Sequence, residues 1–433
     1  MKNIYLYLIL LLLLAVSCMD RYVIPGDINQ SNPGNFGAGD TTFLQLNPIW
    51  DDAYGLSEPT EISIAQDGRI FVADLNAILV FDQDGTTPSG FDGLKNLANN
   101  SGAAIFPIDV DIDQKMNVFF IDGSHQIFIW NHYWNEVGIK SVSISGTFLH
   151  TETGVEQSEN AGTDTWVSYL NNSEYQLINP IFTDSPNLID SLLQPHLFYD
   201  GTDEKNIYKD IHYRSDSSKF NGLTAPAGNE NMIFVTDHYG GVNNQHRIIQ
   251  IDFQRSLLLE LTTGDLVWAF TGEYGATVLG YGNGAEFVNQ PLSLDIDYQG
   301  NLYYTQTGEY FAVHMIIPDL SGDYATYSSG FNAVTDDIMN PNLFTNPMDV
   351  AVDKNRNIYV ADSERDHISV FTANGQFFKE AGYVNDDSLR IMSEPVAVTV
   401  DQRGIVYVCD KNDGAIYRYK LSNSLEEDLN LDE

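Results

Sequence analysis

Cysteine is almost absent from this chain. Cys18 and Cys409 are the only two among 433 residues, so no disulfide framework exists once Cys18 is otherwise engaged. Cys409 falls in a β-prone run and reads as a small buried hydrophobe. Basic residues are scarce too: 21 Lys and Arg stand against 60 Asp and Glu, a net charge of −39. A surface this negative repels phosphate backbones, which argues against nucleic acid as a partner, and it disfavours flat adsorption on anionic lipid. It favours solubility and weak cation binding. Charged residues are nonetheless only 19% and hydrophobic ones 43%, unlike a disordered acidic chain. Beyond the N-terminus no run is apolar enough to span a bilayer. Also missing are a His-Glu-x-x-His zinc pair, a Gly-x-Ser-x-Gly elbow, a Walker loop and a dinucleotide fingerprint. Gly280-Tyr281-Gly282-Asn283-Gly284 is glycine-rich, but no helix follows to present a phosphate site, so it reads as a loop.

Residues 1–17 read as a secretory signal, with Lys2 before a nearly unbroken apolar stretch from Ile4 to Val16. Ala15-Val16-Ser17-Cys18 resembles a bacterial lipobox in the looser Bacteroidetes form, with Ala15 where a typical lipobox has Leu. The resemblance implies cleavage before Cys18, lipidation of its thiol and anchoring to the outer membrane, facing periplasm or surface. The apolar stretch is short of the ~20 residues that cross a ~30 Å bilayer core. Residues 18–40, rich in Pro, Gly, Asn and Asp, read as a flexible tether, and residues 422–433 as an acidic tail.

What the body has in plenty is aromatics, at 12%, β-branched residues and an internal repeat. The repeat runs Pro, apolar residues at +3 and +5, a turn near +9, an apolar triplet from +11 and Asp at +15. It is carried by Pro59 to Asp74, Pro107 to Asp122, Pro347 to Asp362 and Pro395 to Asp410. A copy from Pro291 ends in Gln306, and a degenerate one keeps only Ile233-Phe234-Val235-Thr236-Asp237. The alternation at +3 and +5 is that of a half-buried strand. The Asp/Gly/Asn cluster is a hairpin turn, and the triplet is a strand packed on both faces. Third strands are expected at Ala77–Phe81, Gln126–Trp130, Arg247–Ile251, His367–Phe371 and Ala415–Tyr419. Fourth strands show at Gln376–Glu380 and Leu257–Leu261.

Four-stranded units recurring about every 50 residues suit the blades of a β-propeller. The run Ile358-Tyr359-Val360-Ala361-Asp362, followed by His367-Ile368-Ser369-Val370-Phe371, resembles NHL repeats. The expected fold is therefore an all-β, six-bladed, NHL-like propeller over residues 41–421, with Thr41–Leu46 as the last blade's fourth strand. Residues 131–221 are too long for a connection and form either an insertion between blades two and three or a degenerate seventh blade. Trp130, Tyr133, Trp134, Trp166, Tyr169 and Tyr175 cluster there, as sugar or protein platforms or as packing.

In a propeller the first strand of each blade lines the central channel, so +2 and +4 should face it. That places Glu61, Asp109 and Asp349 at +2, with Asp111 and Asp295 at +4. Like charges in a narrow channel invite protonation or a cation, and Ca²⁺, with 6–8 oxygen ligands, is the candidate cofactor. Glu61, Asp109 and Asp349 are the candidate metal ligands. The acids at +6 (Asp113, Asp297, Asp353 and Asp401) suit hydrogen bonds to turn amides, and the acids at +15 suit loop caps. His125 and His238 follow strand-end acids and could project toward a ligand face, or could be loop histidines without a role.

Two functions compete. One is an envelope-anchored, monomeric binding or scaffold protein that recognises a protein, peptide or glycan, and the lack of a catalytic constellation favours it. The other is a divalent-metal-dependent enzyme. The resemblance extends to six-bladed gluconolactonase-like hydrolases and the amidating lyase, which implies a lactonase, esterase or lyase activity at the channel. Fold-level likeness does not decide between them.

Overall fold

Each repeat copy folds as a hairpin. In this computed structural model, residues 42–422 are described except for 132–142, 184–194, 211–217, 239–245, 280–286, 319–327, 383–391 and shorter stretches. The signal, the tether, Cys18, Tyr133, Trp134, Trp166, the 280–284 loop and the acidic tail lie outside the described residues. Helix is minor, and the described strands form six four-stranded antiparallel sheets and one three-stranded sheet.

The first blade is Pro59–Ile64, Ile70–Asp74, Ala77–Phe81 and Gly93–Lys95. The second is Asp109–Ile112, Asn117–Ile121, Gln126–Asn131 and His196–Asp200. The third is Phe220–Thr224, Met232–Asp237, Arg247–Glu260 and Leu266–Leu279. The fourth is Pro291–Ile296, Leu302–Gln306, Val313–Ile317 and Ser328–Ser329. The fifth is Pro347–Val352, Ile358–Asp362, His367–Phe371 and Phe377–Ala381. The sixth is Pro395–Val400, Ile405–Asp410, Ala415–Leu421 and the N-terminal strand Phe43–Trp50. Each first strand lies against that of the next blade, and the sixth lies against the first, so the ring closes around a channel.

The second strands are buried throughout, because both of their faces meet neighbouring blades. Their apolar residues fill the wedges between blades. One such wedge holds Phe119, Phe198 and Phe253, with ring centroids 5.0–5.2 Å apart, between the second and third blades. Proline begins four of the inner strands, where no ladder donor is needed, and it pairs with the strand-end residue (Pro347 with Asp362, Pro395 with Asp410). Directly after it the register slips, leaving the +1 residue unpaired in a bulge.

Three local expectations change. Leu257 is not a fourth strand: it continues the third blade's long third strand, whose partner is Leu266–Leu279. The long stretch after Asn131 enters inside the second blade, between adjacent strands of one sheet, and its far end supplies that blade's fourth strand, His196–Asp200. Within it, Ser143–His150 pairs with Glu156–Ser158 and Tyr175–Thr183, a satellite sheet that adds no inner strand to the ring. Trp130 is not a platform: it is buried edge-on to Phe71 between the first two blades. Tyr169 and Tyr175 stack on each other at 4.4 Å, with Phe148 beside them.

Phe43–Trp50 pairs antiparallel with Ala415–Leu421, Phe43 opposite Leu421 and Trp50 opposite Ile416. Trp50 is fully buried against Phe81 of the first blade and Tyr407 of the sixth, with the Arg418 guanidinium 4.7 Å over its ring. One side chain thus seals the joint where the two ends of the chain meet. Trp50→Ala should therefore destabilise the protein by about 3–5 kcal/mol. Urea unfolding checks this, and a loss under 1 kcal/mol would mean that the seam does not hold the ring.

Candidate functional site

The channel is built in layers. The +2 and +4 residues of the inner strands surround a central cavity of about 60 Å³ lined by Glu61, Ser63, Asp109, Asp111, Thr224, Ser293, Asp295, Asp349 and Thr399, among others. Glu61, Asp109 and Asp349 are thereby brought together. In the third blade, where the repeat is degenerate, Gly222 occupies the +2 place opposite Thr236. A Cβ there would stand 2.4 Å from the Leu292 carbonyl oxygen, so glycine lets the third and fourth inner strands approach.

Most of the acids are committed to joining blades. Asp109 accepts the Leu223 amide at 2.7 Å, and Asp111 accepts the Ala225 amide at 2.7 Å and the Ser63 hydroxyl at 2.6 Å. Asp295 accepts the Val352 amide and Asp349 the Val398 amide, each at 2.7 Å. Ser293 donates its hydroxyl to Asp349 in a short hydrogen bond. Each acid thus clasps the inner strand of the next blade. Glu61 differs: its one hydrogen bond among the described residues is from its neighbour, the Ile62 amide, at 2.9 Å.

Among the described residues no lysine or arginine lines this central cavity, and desolvation dominates the electrostatics. Burial, reinforced by the nearby Asp349 and Asp109 charges, holds the Glu61 carboxyl well above the usual carboxylate range. Burial raises Asp109 and Asp295 in the same way, and it pushes Asp349 up to about 6. Among the described residues, no three His, Cys, Asp or Glu side chains are grouped as a metal-binding set.

A second, open cavity of about 250 Å³ lies at the end where the inner strands begin. Its wall consists of the +1 residues Thr60, Ile108, Asn221, Leu292, Met348 and Val396, with Lys411 at its lip and Glu61, Asp109 and Ser293 at its base. The +1 ring was missed in the sequence. Its trace there is the run of apolar residues directly after the repeated prolines.

The two histidines lie outside the channel. His125 sits 3.5 Å from Asp200 on the outer strand of the second blade. His238 contacts Asn221 at 3.1 Å and stacks on His246 at 4.5 Å, and burial lowers its pKa. The repeated acids are architectural. Asp74, Asp362 and Asp410 each accept two amides from the loop that leads into their own blade, and Gln306 does the same for Asn289. Asp122 departs from the set and bonds Ser124. The +6 acids accept turn amides: Asp113 that of Asn117, Asp297 that of Asn301, Asp353 that of Asn357 and Asp401 that of Ile405. Cys409 is buried beneath the channel.

The NHL repeat model matches residues 344–371, which cover the first three strands of the fifth blade. No curated protein matches the chain by sequence. Among solved structures the chain is similar to a gluconolactonase from Xanthomonas campestris, at 14% identity and TM-score 0.47, covering 88% of this chain and 90% of that one. It is similar to a streptogramin B lyase at 13% identity and TM-score 0.41, covering 88% and 98%. It is similar to a virginiamycin B lyase from Staphylococcus aureus, in a structure with quinupristin, at 12% identity and TM-score 0.41, covering 88% and 99%. By its sheets and ring the chain is an all-β propeller. By its fifth blade it carries an NHL repeat.

Two outcomes follow. Gly222→Ala should cost about 1–3 kcal/mol from overpacking, read from the urea midpoint; no change would mean that the two inner strands can part freely. Asp349, whose folded-state pKa lies above the ordinary 3.8, contributes stability that is fully present below that value and is lost as the pH rises through about 6. Asp349→Asn, fixed in the neutral form, should therefore gain in Tm relative to the natural protein at about pH 8 but not at about pH 4. A constant difference across the range would refute the assignment.

Proposed function

We propose that this propeller is an envelope-anchored binding module that holds a protein, peptide or glycan segment at the mouth of its channel, with Glu61 as the polar handle. One observation carries the reading: the mouth cavity opens onto Glu61, the channel acid that spends no oxygen on an inter-blade clasp. A large concave site with a few convergent polar groups is the usual form of a ligand pocket. Anchoring and envelope location rest on the signal and on Cys18 alone. The test is a thermal-shift panel of peptides and oligosaccharides against the natural protein and Leu292→Trp, which fills the mouth. Ligands that raise Tm only in the natural protein support the reading. Ligands that act equally on both, or none that act at all, count against it.

The convergence of Glu61, Asp109 and Asp349 on one cavity supports a second reading, a Ca²⁺-dependent hydrolase or lyase. There the ion would neutralise the acids and polarise a lactone, ester or hydroxyl. A Ca²⁺-induced rise in Tm, reversed by EDTA and absent in Glu61→Gln, is the expected result. At a hundredfold excess over Kd the gain would be about 2.7 kcal/mol. No shift would remove this reading.

A further inference from the structure

The mouth cavity changes polarity along its depth. At its base stands Glu61, with a carboxylate oxygen that no described residue bonds. Its wall carries four apolar side chains, Ile108, Leu292, Met348 and Val396, beside the polar Thr60 and Asn221. At its lip stands Lys411, whose ammonium makes no hydrogen bond or ion pair among the described residues. A cation without a side-chain partner among the described residues, in a chain of net charge −39, shares this cavity with an unclasped acid and several apolar side chains, which suits a ligand with opposite charges at its two ends. A simple cation would leave the wall and Lys411 unused. A polyanion would be repelled by the rest of the protein. An oligosaccharide would find no aromatic platform among the described lining residues.

We propose that the mouth takes a short apolar peptide with both termini free. The peptide's ammonium turns inward to Glu61, its side chains rest on Ile108, Leu292, Met348 and Val396, and its carboxylate lies at Lys411. The inference rests on the mouth-binding reading above and specifies its ligand. An ammonium at Glu61 would also supply the countercharge that the buried carboxyl lacks.

The test is calorimetric titration of the purified full chain with Ala-Leu-Ala, its N-acetyl form and its C-terminal amide. The titrations are repeated on Glu61→Gln, Lys411→Ala and Leu292→Trp, after an unchanged thermal transition has shown that each variant folds. The free tripeptide should bind. Each block should weaken binding at least about tenfold. N-acetylation should make no further difference in Glu61→Gln, nor amidation in Lys411→Ala. Binding that is indifferent to both blocks but lost in Leu292→Trp would overturn this proposal and leave the mouth reading standing. Binding that persists in Leu292→Trp would overturn both. No binding of any tripeptide would overturn the proposal, and the wider panel would then judge the mouth reading.

Discussion

A propeller blade cannot bury both of its faces alone, so every sheet depends on a neighbour on each side, and the ring must close. Here closure falls to one strand from the beginning of the folded body. Phe43–Trp50 completes the sixth sheet beside Ala415–Leu421, and Trp50 plugs the seam to the first blade. The wedge-shaped interfaces elsewhere are apolar and repetitive, which suits a quasi-one-dimensional array. At the seam that array becomes a circle, and residues nearly the full chain length apart meet.

Inside the ring, the acids that suggest ion binding mainly hold blades together. A carboxylate accepting an amide from the neighbouring inner strand satisfies a donor that faces the channel rather than a ladder. The clasps run from the second blade to the third, the fourth to the fifth and the fifth to the sixth. Burial of several such acids around one space raises their pKa values and ties the stability of the ring to pH. Asp111, Asp295 and Asp349 accept their own neighbour's amide as well as a clasp, whereas Glu61 accepts only the amide of Ile62 among the described residues. It is left lining both cavities.

Much of this was legible in the residues. The fifteen-residue spacing from Pro to Asp marks the paired strands, since a proline at a strand start and an acid at a strand end each answer a local hydrogen-bonding need. The +2 and +4 parity placed Glu61, Asp109, Asp111, Asp295 and Asp349 on the channel wall, because side chains alternate along any strand. The bulge after each proline was not legible. It turns the +1 residues into the mouth lining and depends on how the register slips between paired strands. The third blade's place in the ring was hidden as well, because Gly222 answers to a backbone in the next blade and not to a pattern in its own.

By itself the sequence determined the repeat, its all-β character and the channel-facing positions, since these follow from local periodicity and turn chemistry. Tertiary structure alone decided where the long insert leaves its sheet, which acids become clasps and which one stays unclasped. It also decided that Lys411 and the +1 residues share a cavity with Glu61. Those outcomes depend on distances between blades, which only the closed ring sets.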